Sequence, residues 1–168
     1  MEFYFQEELM NDISNDDHFK DVVKIKKGSV LFHEGENSTY LYVIAKGKIQ
    51  LIKEDDNGVH PLAVIGEKNF IGELSMFSDE KRYASAIALE ETEVYMIKKS
   101  DIRKVLKECP EWVTNIMVTL TDRLRDVDEL MREHRVVPSD MEDQFNLNSS
   151  QQKEMKEALK EYRSRRGI

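Results

Sequence analysis

The sequence predicts an α+β fold, an antiparallel, jelly-roll-like β-roll flanked by an N-terminal helix and by C-terminal helices, and three observations predict it. Short segments rich in Val, Ile, Tyr and Leu follow one another from Asp21 to Lys98, and many short strands joined by turns, without helices between them, make a sandwich, barrel or roll. Six of the seven glycines punctuate that stretch, at Gly28, Gly35, Gly47, Gly58, Gly66 and Gly72, as turn residues do. On either side of it apolar residues recur at helical spacing.

Taken in order, Phe5, Leu9 and Ile13 predict a short N-terminal helix within residues 1–20. The domain core is expected over residues 21–135. Its strands are predicted at Val22 to Ile25, Val30 to His33, Tyr40 to Ala45, Lys48 to Lys53, Val59 to Ile65, Tyr83 to Ala88 and Glu93 to Lys98. Asp56-Asn57-Gly58 is a hairpin turn, because Asn and Gly accept the positive φ of a tight reversal; Gly47 marks another. Ser100 is expected to cap a helix holding Ile102, Val105 and Leu106, which Pro110 terminates. A long helix follows from Glu111 to about 133. Val113, Ile116, Leu120, Val127 and Leu130 run along one seam of it, and Met117, Leu124 and Met131 widen the stripe. One part of such a stripe packs on the roll while the rest meets a second copy, so a homodimer through helix 111–133 is expected; the alternative is one wide stripe facing the core. Residues 136–148 lack a period and contain Pro138, as a linker does. A final helix is predicted over 149–168, with Ser149 and Gln152 as a capping box and Met155, Ala158, Leu159 and Tyr162 as its apolar face. Its basic end, Arg163-Ser164-Arg165-Arg166, suits the helix dipole as well as it suits a partner-binding patch.

At 168 residues the chain has room for one domain with helical appendages. Charged residues make up 35% and the formal net charge is −8, which argues against a general nucleic-acid binder, since phosphate backbones need clustered Lys and Arg. Apolar runs are only a few residues long and Met1 to Glu8 lacks the basic start of a signal peptide, so no membrane association and a cytoplasmic location are expected. Cys109 is the only cysteine; it reads as a helix-end core residue, with no disulfide and no metal site. An anionic ligand would be repelled by the overall field and would need a local positive site.

Residues Phe70 to Ala86 offer one. Gly72 lets the backbone approach a ligand without a Cβ, and Glu73-Leu74-Ser75 can start a short helix with free amides directed at an anion. Arg82 supplies a planar fork that matches two phosphate oxygens, and small Ala84 and Ser85 leave room. A carboxylate at Glu73 makes sense beside a phosphate if it accepts a ribose hydroxyl. Alone, each of these residues is a turn glycine or a solvated charge.

In this order and spacing they resemble cyclic nucleotide-binding domains, the family shared by bacterial catabolite activator protein, protein kinase A regulatory subunits and nucleotide-gated channels. Gly28 to Glu36, Leu41 to Ile44 and Gly47-Lys48-Ile49 resemble the family's early strand and turn signatures, and the likeness runs from about Val22 to Glu133. It implies that Arg82 binds the exocyclic phosphate oxygens and Glu73 the ribose 2′-hydroxyl. The amides of Gly72, Leu74 and Tyr83 complete the cradle, with Ser75 and Ala84 nearby. It also places Arg123, Val127 and Asp128 on a base-facing and dimer-facing surface, with Arg123 able to pair with Glu73. Several relatives have Thr or Ser directly after the arginine to help bind guanine; this chain has Tyr83, so cAMP is expected over cGMP. Asp128 leaves the alternative open, because a carboxylate accepts from guanine N1 and N2 as well as from the adenine amino group; a plain exposed helix carboxylate is the other reading.

The segment 136–168 is too short for the winged helix-turn-helix of the family's transcription factors, and no nucleophile–base pair or P-loop is present, so neither operator binding nor catalysis is expected. The expected role is a sensor in which nucleotide shifts the long helix and the tail and so signals to an unknown effector protein. Phe145 and Tyr162 are the candidates for touching the site or the helix that covers it; the resemblance implies that Phe145 could reach back from the linker to cap the base, and a small hydrophobic anchor packed elsewhere is its other reading. A ligand-free adaptor that keeps the fold, and a regulatory subunit of an enzyme, are the alternatives.

Overall fold

The computed structural model describes residues 22–56, 58–77, 80–133 and 147–168. The helix expected within 1–20, Asn57 of the hairpin and Phe145 lie outside the described residues, as does most of the linker.

Among the described residues eight strands form two antiparallel sheets, as the fold class requires. They are β1 (Val22–Ile25), β2 (Val30–Phe32), β3 (Tyr40–Lys46), β4 (Ile49–Asp55), β5 (Gly58–Ile65), β6 (Phe70–Ile71), β7 (Ser85–Ala88) and β8 (Thr92–Lys98). One sheet has the order β1-β8-β3-β6 and the other β2-β7-β4-β5. Side chains alternate across a strand, so Tyr42 and Ile44 of β3, Ile49 of β4, Ala86 and Ala88 of β7 and Val94 of β8 meet between the sheets in one buried core. Ile44, Ile49 and Val94 are fully buried there. Gly47 turns β3 into β4 at a φ of 94°, against the side of Thr92 and the carbonyl of Glu91. β5 forms a border of its sheet; Pro61 pairs with Ile52 and Ala63 with Leu51, so Leu62 is an extra residue that breaks the ladder.

Among the described residues three α-helices follow: α1 (Lys99–Glu108), α2 (Glu111–Glu133) and α3 (Ser149–Arg166). Two cap expectations are corrected. Ser100 lies inside α1, whose N-cap is Lys98 with no side-chain cap bond, because the strand β8 runs straight into the helix. The capping box of α3 is Asn148 with Gln151, one residue earlier than expected: the Asn148 side-chain Oδ1 accepts from the Gln151 amide at 2.9 Å, and the Gln151 side-chain Oε1 accepts from the Asn148 amide at 2.9 Å. Cys109 caps the end of α1 and is half-buried.

α2 turns Thr121, Arg125 and Asp128 toward the roll, whereas Ile116, Leu120, Leu124, Val127 and Leu130 of the expected stripe remain half exposed in the single chain. α3 lies on the outer face of the second sheet, where Met155 and Leu159 pack on Ile52, Val59 and Ile87. Leu159 is fully enclosed. Leu159→Ala is expected to lower unfolding stability by about 3 kcal/mol, the usual cost of emptying a buried leucine site; urea denaturation reads this directly, and a change below about 1 kcal/mol would mean that α3 contributes little there.

Candidate functional site

β6 delivers the chain to Gly72, which stands in the left-handed region at φ 87° and ψ 14°, where a side chain is strained. A Cβ there would also overlap Nη1 of Arg82. Glu73–Ser75 then form a single 3-10 turn, closed by Met76 N donating to Glu73 O at 2.9 Å. The turn is held from three sides. The Ser75 hydroxyl lies 2.9 Å from Ser38 Oγ and 3.1 Å from Gly72 O. Lys99 of α1 donates to Ser75 O at 2.9 Å. Arg125 of α2 donates through Nη2 to Leu74 O.

Arg82 is only 4% exposed. Its Nη1 donates to Gly72 O at 3.2 Å and lies 3.4 Å from Ser75 Oγ, while Nη2 donates to Tyr40 O. The guanidinium carbon sits 4.1 Å from the centroid of Phe32, a cation–π distance. Burial depresses its pKa from the ordinary value, against the opposing influence of Tyr42, Glu36 and Glu73. The guanidinium of this buried cation bonds the carbonyls of Gly72 and Tyr40 and lies by the Ser75 hydroxyl, which leaves a formal charge for an anion to meet.

Burial also raises the Glu73 carboxyl above its usual range, and the charge of Asp128 adds to the rise; its own amide, the Gly72 amide and Arg82 act the other way. Asp128 is raised by burial as well, with Lys53 opposing. Lys53 is itself buried, with Nζ 3.7 Å from the centroid of Tyr83 and 3.7 Å from Glu34 Oε1. A hollow of about 430 Å³ between α2 and the roll is lined by Lys53, Arg82, Tyr83 and Arg125, with Glu80 and Asp126 at its acidic side.

The fold thus gathers Gly72, Glu73, Leu74, Ser75, Arg82, Tyr83 and the buried Ala84 at one end of the roll, with Asp128 within electrostatic reach of Glu73. Arg123 and Val127 are not brought in: both are exposed, and no ion pair joins Arg123 to Glu73. Lys53 and Arg125 were missed in the sequence. Lys53 shares the inward side of β4 with Ile49 and Leu51, and a lysine in register with core residues is a signal. Arg125 sits one turn after Thr121 on the roll-facing stripe of α2, where attention to the apolar seam hides it. Among the described residues no cluster of three or more His, Cys, Asp or Glu side chains could hold a metal ion.

The family model described as the cyclic nucleotide-binding domain matches residues 22–109. The chain belongs to the cyclic nucleotide-binding domain family. The match covers both sheets, Gly72 to Ser75 and Arg82 to Ala84; Asp128 lies beyond it. Among curated relatives, the cyclic AMP receptor protein of Thermus thermophilus is 31% identical over 61% of this chain and 48% of its own length. The crystal structure of the catabolite activator protein of Thermus thermophilus superposes with a TM-score of 0.58 at 28% identity, covering 77% of this chain and 59% of that one. The EAL enzyme Bd1971 is similar in its cGMP-bound form, at TM-score 0.59 and 28% identity over 62% of this chain and 28% of that one. Its form bound to cAMP and cyclic-di-GMP gives TM-score 0.61 and 28% identity over 64% and 29%. The chain spans about half the length of the Thermus receptor protein that it matches.

Proposed function

We propose that this cyclic nucleotide-binding domain is a sensor of cAMP that acts in the cytoplasm as a homodimer through α2 and passes its signal to an effector protein through its C-terminal helices, without catalysis of its own. The observation that carries the reading is the convergence of the Gly72 turn, the Glu73 carboxyl and the buried Arg82 at one end of the roll. In this reading Arg82 and the amides of Gly72, Leu74 and Tyr83 hold the ring phosphate, and Glu73 accepts from the ribose 2′-hydroxyl. Ser75 fixes the turn, Ala84 leaves space, and Asp128 faces the base from α2. Arg123 and Val127 belong to the dimer seam rather than to the pocket of the single chain. Among the described residues no helix is long and apolar enough to cross a membrane, and the formal charge of −8 argues against nucleic acid as the ligand.

Asp128 supports a second reading, a cGMP sensor, because its half-buried carboxyl can accept two bonds from guanine. Calorimetric titration with cAMP, cGMP and a cyclic dinucleotide separates these. Tighter binding of cAMP is the expected result; tenfold tighter cGMP reverses the order of the two readings, and no binding of any of the three replaces both with a ligand-free adaptor.

A further inference from the structure

The end of α3 reaches the turn that holds the backbone of Arg82. Tyr162 donates its hydroxyl to Glu36 Oε2 at 3.1 Å, and the same carboxylate oxygen accepts from the His33 amide at 2.9 Å. Arg163 Nη1 lies 2.6 Å from Glu54 Oε2 and 3.1 Å from His33 Nε2. Residues 33–36 in turn clamp Arg82: its amide donates to Glu36 O at 2.8 Å and its carbonyl accepts from the Gly35 amide at 2.9 Å. An isolated bridge between Asn37 and Lys81 extends the pairing.

We propose that Tyr162 and Arg163 are positioning residues that keep the Arg82 guanidinium in its inward seat and thereby lower the affinity of the site for its nucleotide. The proposal rests on the reading of Arg82 as the phosphate anchor. A bidentate grip on phosphate needs two parallel N–H bonds from one edge of the fork, and both Nη1 and Nη2 already bond backbone carbonyls while the group lies over Phe32. With Nη1 held by Gly72 O and lying by Ser75 Oγ, and Nη2 held by Tyr40 O, an end-on grip on phosphate through both Nη groups requires leaving at least part of this seat. Whatever tightens the 33–36 turn restricts that departure, and α3 tightens it with two side chains anchored by the buried Leu159. The turn has room to yield, since a cavity of about 760 Å³ lies between the last turns of α3 and a floor made by Phe32, Tyr40 and Arg82. A ligand shifts only those states that it binds unequally, and such coupling is reciprocal: bound nucleotide must loosen the end of α3 by the factor that α3 takes from affinity.

The test uses the full chain. Calorimetry with cAMP on the double variant Tyr162→Phe, Arg163→Gln is expected to show five- to tenfold tighter binding than the unaltered chain, with Arg163→Lys recovering part of the difference; a purely structural role would leave affinity flat or weaken it. Hydrogen exchange at amides 160–166 is expected to quicken at least threefold when cAMP saturates, with β3 amides as the internal reference. Without nucleotide, Arg82→Ala is expected to quicken the same amides at least threefold by releasing the turn. Unchanged or weaker affinity of the double variant overturns the proposal and leaves the site reading standing, as does unchanged α3 exchange in Arg82→Ala. Arg82→Ala that binds cAMP normally overturns the site reading instead, and with it this one.

Discussion

Replacing Arg82 with alanine is expected to weaken cAMP binding at least 100-fold in calorimetry. Hydrogen bonds to a charged group are worth about 1.5–3 kcal/mol each, the fork supplies two to one phosphate, and about 1.4 kcal/mol is a factor of ten. The same change affects the fold, because the side chain is buried and its loss leaves Gly72 O and Tyr40 O without these donors. Each deserted acceptor costs about 1–3 kcal/mol if water does not enter. A thermal melt of the same sample therefore has to show a folded variant before its affinity counts. Arg82→Lys keeps a charge but not the fork, and an intermediate loss is expected of it. A folded Arg82→Ala chain with unchanged affinity would remove the phosphate anchor and the sensor reading together.

The second large effect belongs to α2. Ile116, Leu120, Leu124, Val127 and Leu130 are each between 50% and 55% exposed, and Trp112 is 62% exposed. Placed at helical spacing, they form a continuous apolar strip of the kind that marks an interaction surface. Covering the exposed half of each is worth about half of the 1.5–3 kcal/mol that full burial gives, and the strip is contributed by both copies, which suffices for a dimer at micromolar concentration. Leu120→Asp puts a carboxylate in the centre of that strip. Sedimentation is expected to change from dimer to monomer, with association at least 100-fold weaker, while the melting temperature of the separated chain stays close to its original value because Leu120 faces solvent there. An unaltered chain that sediments as a monomer at micromolar concentration would leave the strip without its second copy.

Seven of the eight strands were legible because each carries enough Val, Ile, Leu or Tyr to show its period, and because glycines or an Asp-Asn-Gly turn mark their ends. β6 was not, since two residues have no period; the expected phosphate segment swallowed it. The capping box slipped by one residue because Asn148-x-x-Gln151 and Ser149-x-x-Gln152 satisfy the same pattern, and only the backbone of Asn148, extended at φ −71° and ψ 163°, decides between them. Met155, Leu159 and Tyr162 were readable as a buried face, but not what they bury against, since the sheet they meet lies about a hundred residues earlier. For the site, Gly72, Glu73 and Arg82 announce themselves by order. Lys53 is marked only by its register with Ile49 and Leu51 in β4, and Arg125 comes from an element distant in sequence and carries no local mark; the pairing of Arg123 with Glu73 failed to appear because the arginine falls on the outward side of α2.

The border strand β5 has a consequence for how the molecule avoids unwanted polymers. Pro61 has no amide hydrogen to offer an incoming chain, and the surplus residue at Leu62 throws any would-be partner out of step after two or three bonds. Lateral zippering of rolls into fibrils is thereby blunted along the longest rim of that sheet, and the association proposed through α2 would close at two copies instead of growing without limit.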